Sequence, residues 1–191
     1  MLTLPNLITL ARLAAIVPLG WLLAAGRWEA ALLLFLLCAA GDGLDGFLAR
    51  RLHQESRLGA LLDPVADKLT MLTVALLLAW HGLLPWWLAA AVVLRDVVIF
   101  SGATAYRLRF GALEIAPTRL SKLNTFLEFG TLALVLANDA GWLVMTGYLP
   151  LLFAVMMAMV VLSGGQYVWL WSGKAARTAR AARRARRGAD N

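Results

Sequence analysis

Charge is scarce in this chain, and acidic charge most of all: 11 Asp and Glu stand among 191 residues, and only 15% of the residues carry any charge. Soluble globular chains average about 25% charged residues, so a water-exposed shell of ordinary polarity is excluded. Cysteine is limited to Cys38, inside an apolar run. One cysteine rules out a disulfide framework and reads as a small buried hydrophobe. The two histidines, His53 and His81, lack metal-ligand spacing and read as solvated loop residues. Internal repeats and Gly/Ser- or Pro-rich linkers are missing as well, which argues for one domain. A cleaved signal peptide is not expected, because the positive n-region is missing, Arg12 interrupts the first apolar stretch, and further apolar stretches follow.

What fills the chain instead is apolar: 61% of the residues are hydrophobic. Six stretches, at 5–25, 29–51, 59–80, 85–107, 120–139 and 144–171, each approach the ~20 residues that cross a bilayer. The expected fold is an all-α integral membrane protein with six transmembrane helices. Residues 1–173 form its membrane domain and residues 174–191 a basic tail. The net charge of +7 is unevenly placed, with seven of the 18 Lys and Arg between Lys174 and Arg187. Arg50, Arg51 and Arg57 lie between the second and third stretches; Arg107, Arg109, Arg119 and Lys122 surround the connection from fourth to fifth. The alternate connections hold only Arg27. The positive-inside rule then puts both termini and the two basic connections in the cytoplasm. A tail without interleaved aromatics suits anionic lipid headgroups, and nucleic acid is not expected as a partner. The Ala, Leu and Arg bias suggests a bacterial source, hence an inner (plasma) membrane location. Trp86, Trp87, Trp142, Trp169 and Trp171 fall near stretch ends, where indole rings favour the interface.

Against that background four aspartates stand out. An acid at the centre of a membrane helix costs on the order of 2.5–3.5 kcal/mol on insertion scales. Asp42 and Asp45 stand at i and i+3, and Asp63 and Asp67 at i and i+4, so each pair shares one helix face. Gly46 continues the first face without a side chain, and Gly59 lies one turn before Asp63. The polar segment after Arg50 lets the two helices return antiparallel, so the carboxylates can converge. Four close carboxylates need compensating charge, and oxygen-only ligation suits Mg²⁺ or Mn²⁺. Two such ions clamp the attacking and leaving oxygens in phosphoryl-type transfer, and Arg50 adds a bidentate phosphate donor. Pro64 suits the first turn of a helix or a local kink. A structural role in helix packing remains the alternative for any single Asp.

The run from Asp42 to Asp67 reads D-G-L-D-G-F-L-A-R, eight residues, then G-A-L-L-D-P-V-A-D. It resembles the signature of the CDP-alcohol phosphatidyltransferases, D-x2-D-G-x2-A-R-x8-G-x3-D-x3-D, at all eight fixed positions. The resemblance implies that Asp42, Asp45, Asp63 and Asp67 bind two divalent ions and, through them, the diphosphate of a CDP-linked lipid. It implies that Gly46, Ala49, Arg50 and Gly59 line the nucleotide, and that Asp67 is the general base. Six helices, cytoplasmic termini, an active site facing the cytoplasm and a homodimer are further implications.

Likeness to the branch that contains phosphatidylglycerophosphate and cardiolipin synthases extends from Leu4 to about Glu128. Leu4-Pro5-Asn6-Leu7-Ile8-Thr9 with Arg12, and Asp63-Pro64-Val65-Ala66-Asp67-Lys68, resemble that branch. Pro117-Thr118-Arg119-Leu120-Ser121-Lys122-Leu123-Asn124-Thr125 is similar to the corresponding stretch of CMP-forming cardiolipin synthases. The expected reaction therefore takes CDP-diacylglycerol and phosphatidylglycerol to cardiolipin and CMP, with glycerol 3-phosphate as the alternative acceptor. Either acceptor is anionic, and Arg95, Lys122, Arg119 and Arg109 are the candidate residues for it. Arg95 also has Asp96 beside it as a pairing partner, and Glu128 can answer one of the cations. Two other classes use the same features: a cation transporter built on the aspartates, and a membrane scaffold acting through the basic tail.

Overall fold

The computed structural model describes residues 4–52, 57–110 and 118–189, with side chains over 7–41, 62–102, 104, 118–170 and 172. Every described element is helical: α1 (Leu4–Ala24), α2 (Trp28–Leu52), α3 (Arg57–Trp80), α4 (Trp86–Phe110), α5 (Arg119–Asp139) and α6 (Leu149–Ala189). His53 lies outside the described residues.

The helix ends follow local chemistry. α1, α3 and α5 stop at Gly26, Gly82 and Gly141, with φ of 67°, 75° and 77°. That left-handed backbone is strained for residues with a Cβ. At the first of them, Gly26 N–H donates to Leu23 C=O at 3.0 Å and Arg27 N–H to Leu22 C=O at 2.9 Å. These are the two bonds of a Schellman motif, which satisfy carbonyls that a helix end leaves bare. Gly82 with Leu83, and Gly141 with Trp142, repeat the pattern. At the start of α5, Thr118 Oγ1 accepts from Ser121 N–H at 3.1 Å, an N-cap.

The chain divides into two compact units. The first holds Met1–Ala89 and Glu128–Leu152. In it α1 packs on both α2 and α3. Thr9 meets Asp63, Arg12 meets Asp67, and a Cβ on Gly20 would sit 3.6 Å from Thr73, so α1 and α3 run side by side in the same direction. Gly41, late in α2, faces Ile8 and Arg12, early in α1, so these two helices run antiparallel. Leu19, Leu23, Leu32, Phe35, Leu78 and Leu132 are buried at the centre. Phe35 lies against Phe129 with ring centroids 4.7 Å apart, and Trp28 meets His81 edge-on at 4.9 Å. His81 is exposed, as a loop residue should be.

The second unit holds Ala90–Leu127 and Phe153–Asn191. Val92, Met156, Val160 and Tyr167 are buried in it, as is the polar side chain of Arg95.

Three helices are long and apolar enough to cross a membrane among the described residues: Leu7–Ala24, Arg119–Asp139 and Leu149–Leu170. Helix α2 adds a shorter apolar stretch, Trp28–Gly41. Large apolar side chains face outward on these helices, among them Val17 and Trp21 on α1, Leu37 on α2 and Phe126 on α5. Outward apolar faces of that extent suit lipid and not water.

Pro64 lies inside α3, beyond its first turn, which sets aside the first-turn alternative and leaves the local kink. One boundary is corrected. The last helix starts at Leu149, not near residue 144, and it continues through the basic tail to Ala189. Asn138 accounts for the late start: its Oδ1 accepts from Met145 N–H at 2.8 Å and holds 145–146 in a turn. The continuation follows composition, since Ala and Arg are strong helix formers.

Candidate active site

Helix α3 carries Asp63 and Asp67 one turn apart and turned towards α1. Thr9 Oγ1 donates to Asp63 Oδ1 at 2.6 Å. Arg12 donates through a terminal guanidinium nitrogen to Asp67 Oδ1 and forms an ion pair with it. Two rungs, three residues apart on α1 and four apart on α3, therefore join the parallel helices. Arg12 is 5% exposed and Asp67 is 42% exposed by side chain. The carboxylate is thus partly open while its cation is enclosed.

Asp42, Asp45, Gly46, Ala49 and Arg50 lie on α2, and Gly59 on α3, with their side chains outside the described set. Gly41, the residue before Asp42, has Arg12 against its backbone: a Cβ there would come 3.3 Å from Arg12 Cδ. The backbone of α2 at its aspartate end therefore meets the same part of α1 that holds Asp63 and Asp67. Among the described residues no set of three metal-ligating side chains converges. Asp63 and Asp67 do supply hard oxygen donors with partial access to solvent, a donor set that fits Mg²⁺ or Mn²⁺.

A second polar cluster belongs to the other unit. Arg95 on α4 is 6% exposed and donates to Asp96 Oδ1 at 2.7 Å, Ser121 Oγ on α5 at 2.9 Å and Ser163 Oγ on α6 at 2.9 Å. Gly164 lies beside the Arg95 stem, where a Cβ would meet Arg95 Cγ at an ordinary contact distance of 3.6 Å. Thr118 donates to Gln166 Oε1 at 2.9 Å and ties α5 to α6. Arg95 Nε and both amide atoms of Asn124 are buried without a hydrogen-bond partner. Buried amides are seldom left so, because an unmade bond costs about 1–3 kcal/mol. Of the other candidate acceptor residues, Arg119 and Lys122 are exposed on α5, and Arg109 lies on α4 with its side chain outside the described set. Glu128, 2% exposed, belongs to the first unit.

Sequence reasoning took Arg12 as an interruption of an apolar run and Thr9 as part of a branch motif; their pairing with Asp67 and Asp63 comes from the structure. Ser163, Gln166 and the bare amide of Asn124 likewise enter only here. An Arg in a membrane helix is a signal in itself, since it needs a partner.

The sequence model of the CDP-alcohol phosphatidyltransferase family matches residues 2–177. The chain is similar to a cardiolipin synthase (CMP-forming) of Streptomyces coelicolor, 36% identical over 149 residues, 74% of this chain and 69% of the relative. A Mycobacterium bovis protein whose name proposes a cardiolipin synthase is 34% identical over 176 residues, 90% of this chain and 79% of the relative. The CDP-diacylglycerol–glycerol-3-phosphate 3-phosphatidyltransferase of Blochmanniella floridana is 32% identical over 130 residues, 66% of this chain and 68% of its own.

Proposed function

The chain belongs to the CDP-alcohol phosphatidyltransferase family, and from that premise we propose that it transfers a phosphatidyl group from CDP-diacylglycerol to phosphatidylglycerol, forming cardiolipin and CMP. The observation that carries the donor half is the complete aspartate signature, two members of which meet α1 on one face of α3. The acceptor half is supported by the similarity to the Streptomyces cardiolipin synthase and by the stretch Pro117–Thr125. The Blochmanniella relative keeps glycerol 3-phosphate as the second reading. A cation transporter finds no support in these relatives.

In this reading Asp42, Asp45, Asp63 and Asp67 hold two Mg²⁺ or Mn²⁺ ions. When bound, such ions neutralise the diphosphate and stabilise charge on the departing phosphate. Arg50 binds a phosphate oxygen pair, while Gly46, Ala49 and Gly59 give the nucleotide close access to the backbone. The acceptor hydroxyl oxygen forms a bond to the lipid-side phosphorus. The bond from that phosphorus to the CMP oxygen breaks, CMP leaves with the electron pair, and the hydroxyl proton passes to Asp67. Arg12 and Thr9 fix the carboxylates of Asp67 and Asp63 for these tasks. Arg95, Lys122, Arg119 and Arg109 attract the anionic acceptor, and the bare amide of Asn124 adds a buried polar contact for its headgroup.

Residues 1–173 act as the membrane domain, with all six helices spanning the bacterial inner membrane, both termini and the active site on the cytoplasmic side, and residues 174–191 as a basic tail. Two copies pair through the third and fourth helices.

Thin-layer separation of products from labelled CDP-diacylglycerol tests the reaction, with phosphatidylglycerol and glycerol 3-phosphate offered separately. Divalent-dependent cardiolipin in the first reaction is expected. Phosphatidylglycerophosphate in the second reaction alone replaces the acceptor, and no CMP from either acceptor overturns the reading.

A further inference from the structure

Arg12 occupies an apolar helix, is nearly enclosed, and pairs with Asp67. A guanidinium stays charged in any protein setting, and a charge within a membrane helix is costly unless matched. The sequence also makes room for it. Gly41 leaves the space along which the Arg12 stem runs, on the helix whose next residue is Asp42. One turn earlier on α1, Thr9 makes the parallel bond to Asp63 with a neutral hydroxyl. Helix α1 thus reaches the two carboxylates of α3 with one cation and one uncharged donor. Orientation alone would be served by two neutral donors, so the charge of Arg12 calls for its own account.

We propose that Arg12 is a positioning residue that serves as the resident counter-cation of the carboxylate cluster and competes with incoming divalent cations for Asp67. The inference rests on Asp67 being a metal ligand. With no divalent ion bound, the charge of Arg12 offsets that of the Asp67 carboxylate. An arriving divalent ion meets a fixed positive charge a few ångströms away, and this repulsion weakens its hold. Four aspartates and two divalent ions cancel in charge, so Arg12, together with Arg50, leaves the loaded site positive, a balance that favours a diphosphate. Metal binding is then weak in the empty enzyme and strengthens when the nucleotide-linked donor arrives.

The test is Mn²⁺ binding to the purified, detergent-solubilised full chain without lipid substrate, followed by the spin-resonance signal of free Mn²⁺. Arg12→Gln keeps an amide donor and removes the charge; it is expected to bind Mn²⁺ about tenfold more tightly than the native chain, while its turnover falls. Arg12→Lys keeps the charge and is expected to bind Mn²⁺ as the native chain does. Thr9→Val removes the neutral donor to Asp63 and is expected to bind no more tightly than native. Equal or weaker Mn²⁺ binding by Arg12→Gln, or tighter binding by Arg12→Lys, overturns the proposal. Where Arg12→Gln yields no folded protein, Arg12→Met keeps an apolar stem of similar length and removes the charge; unchanged or weaker Mn²⁺ binding then overturns the proposal, and tighter binding supports it. Asp67→Asn separates the two levels: it is expected to lose Mn²⁺ binding, and native affinity in that variant overturns the metal assignment itself.

Discussion

Asn124 is 1% exposed on α5, and neither of its amide atoms has a hydrogen-bond partner. A buried group of this kind destabilises the protein that keeps it, unless something else bonds to it at work. Asn124→Leu, close in volume and without polar atoms, is therefore expected to leave the thermal midpoint in detergent unchanged or raised. If the amide contacts the acceptor headgroup, the same variant raises the acceptor KM about tenfold and leaves the KM for CDP-diacylglycerol alone. A KM rise for both substrates, with a lowered midpoint, would make Asn124 a packing residue. The shared face of Asp63 and Asp67 was legible at this scale because their spacing lies within one helix and follows by arithmetic alone. Arg12 and Asp67 are separated by 55 residues, and nothing local in the sequence ties one to the other. Arg95 was legible as a cation requiring a partner, and Asp96 was correctly placed beside it. Its bonds to Ser121 and Ser163, which join three helices, depend on packing.

Elements were the most legible level. Stretches expected at 5–25, 29–51, 59–80, 85–107 and 120–139 became α1 to α5 with ends shifted by at most a few residues. Long apolar runs bounded by Gly, Pro and charge leave little choice of position. The last stretch broke the pattern at its start, because hydropathy does not register the Asn138 side chain holding the preceding turn; its apolar part ends at Leu170, close to the expected 171, while the helix runs on through the Ala/Arg tail. Gly82 offers a clean test of the helix-stop chemistry. Its φ of 75° is left-handed, and a Cβ there meets nothing within 4 Å, so strain and not crowding decides the outcome. Gly82→Ala is expected to destabilise by about 1 kcal/mol, read as a lowered thermal midpoint in detergent, with CMP release per folded molecule unchanged. An unaltered midpoint would show that the turn relaxes without cost.

For the whole molecule, the scarcity of charge and the outward apolar faces agree on a membrane setting, and membership of a lipid-synthesising family agrees with both. The basic tail remains separable in expectation. Removing residues 175–191 should leave most of the CMP-releasing activity, since the signature and the Arg95 cluster lie before it. Loss of all activity with the fold retained would instead make the tail part of the machinery, as a scaffold would require. The glycine-closed ends of α1 and α3 have a consequence for how such an enzyme meets the outside of a cell. A protease needs a length of chain that can leave the fold and extend into its cleft, and loose loop tips supply it. At Gly26 and Gly82 the chain reverses with its amides bonded back into the helix just completed, and the next helix begins within a few residues. If those ends lie outermost, as the proposed orientation has them, secreted proteases would find no loose chain to grip at either turn.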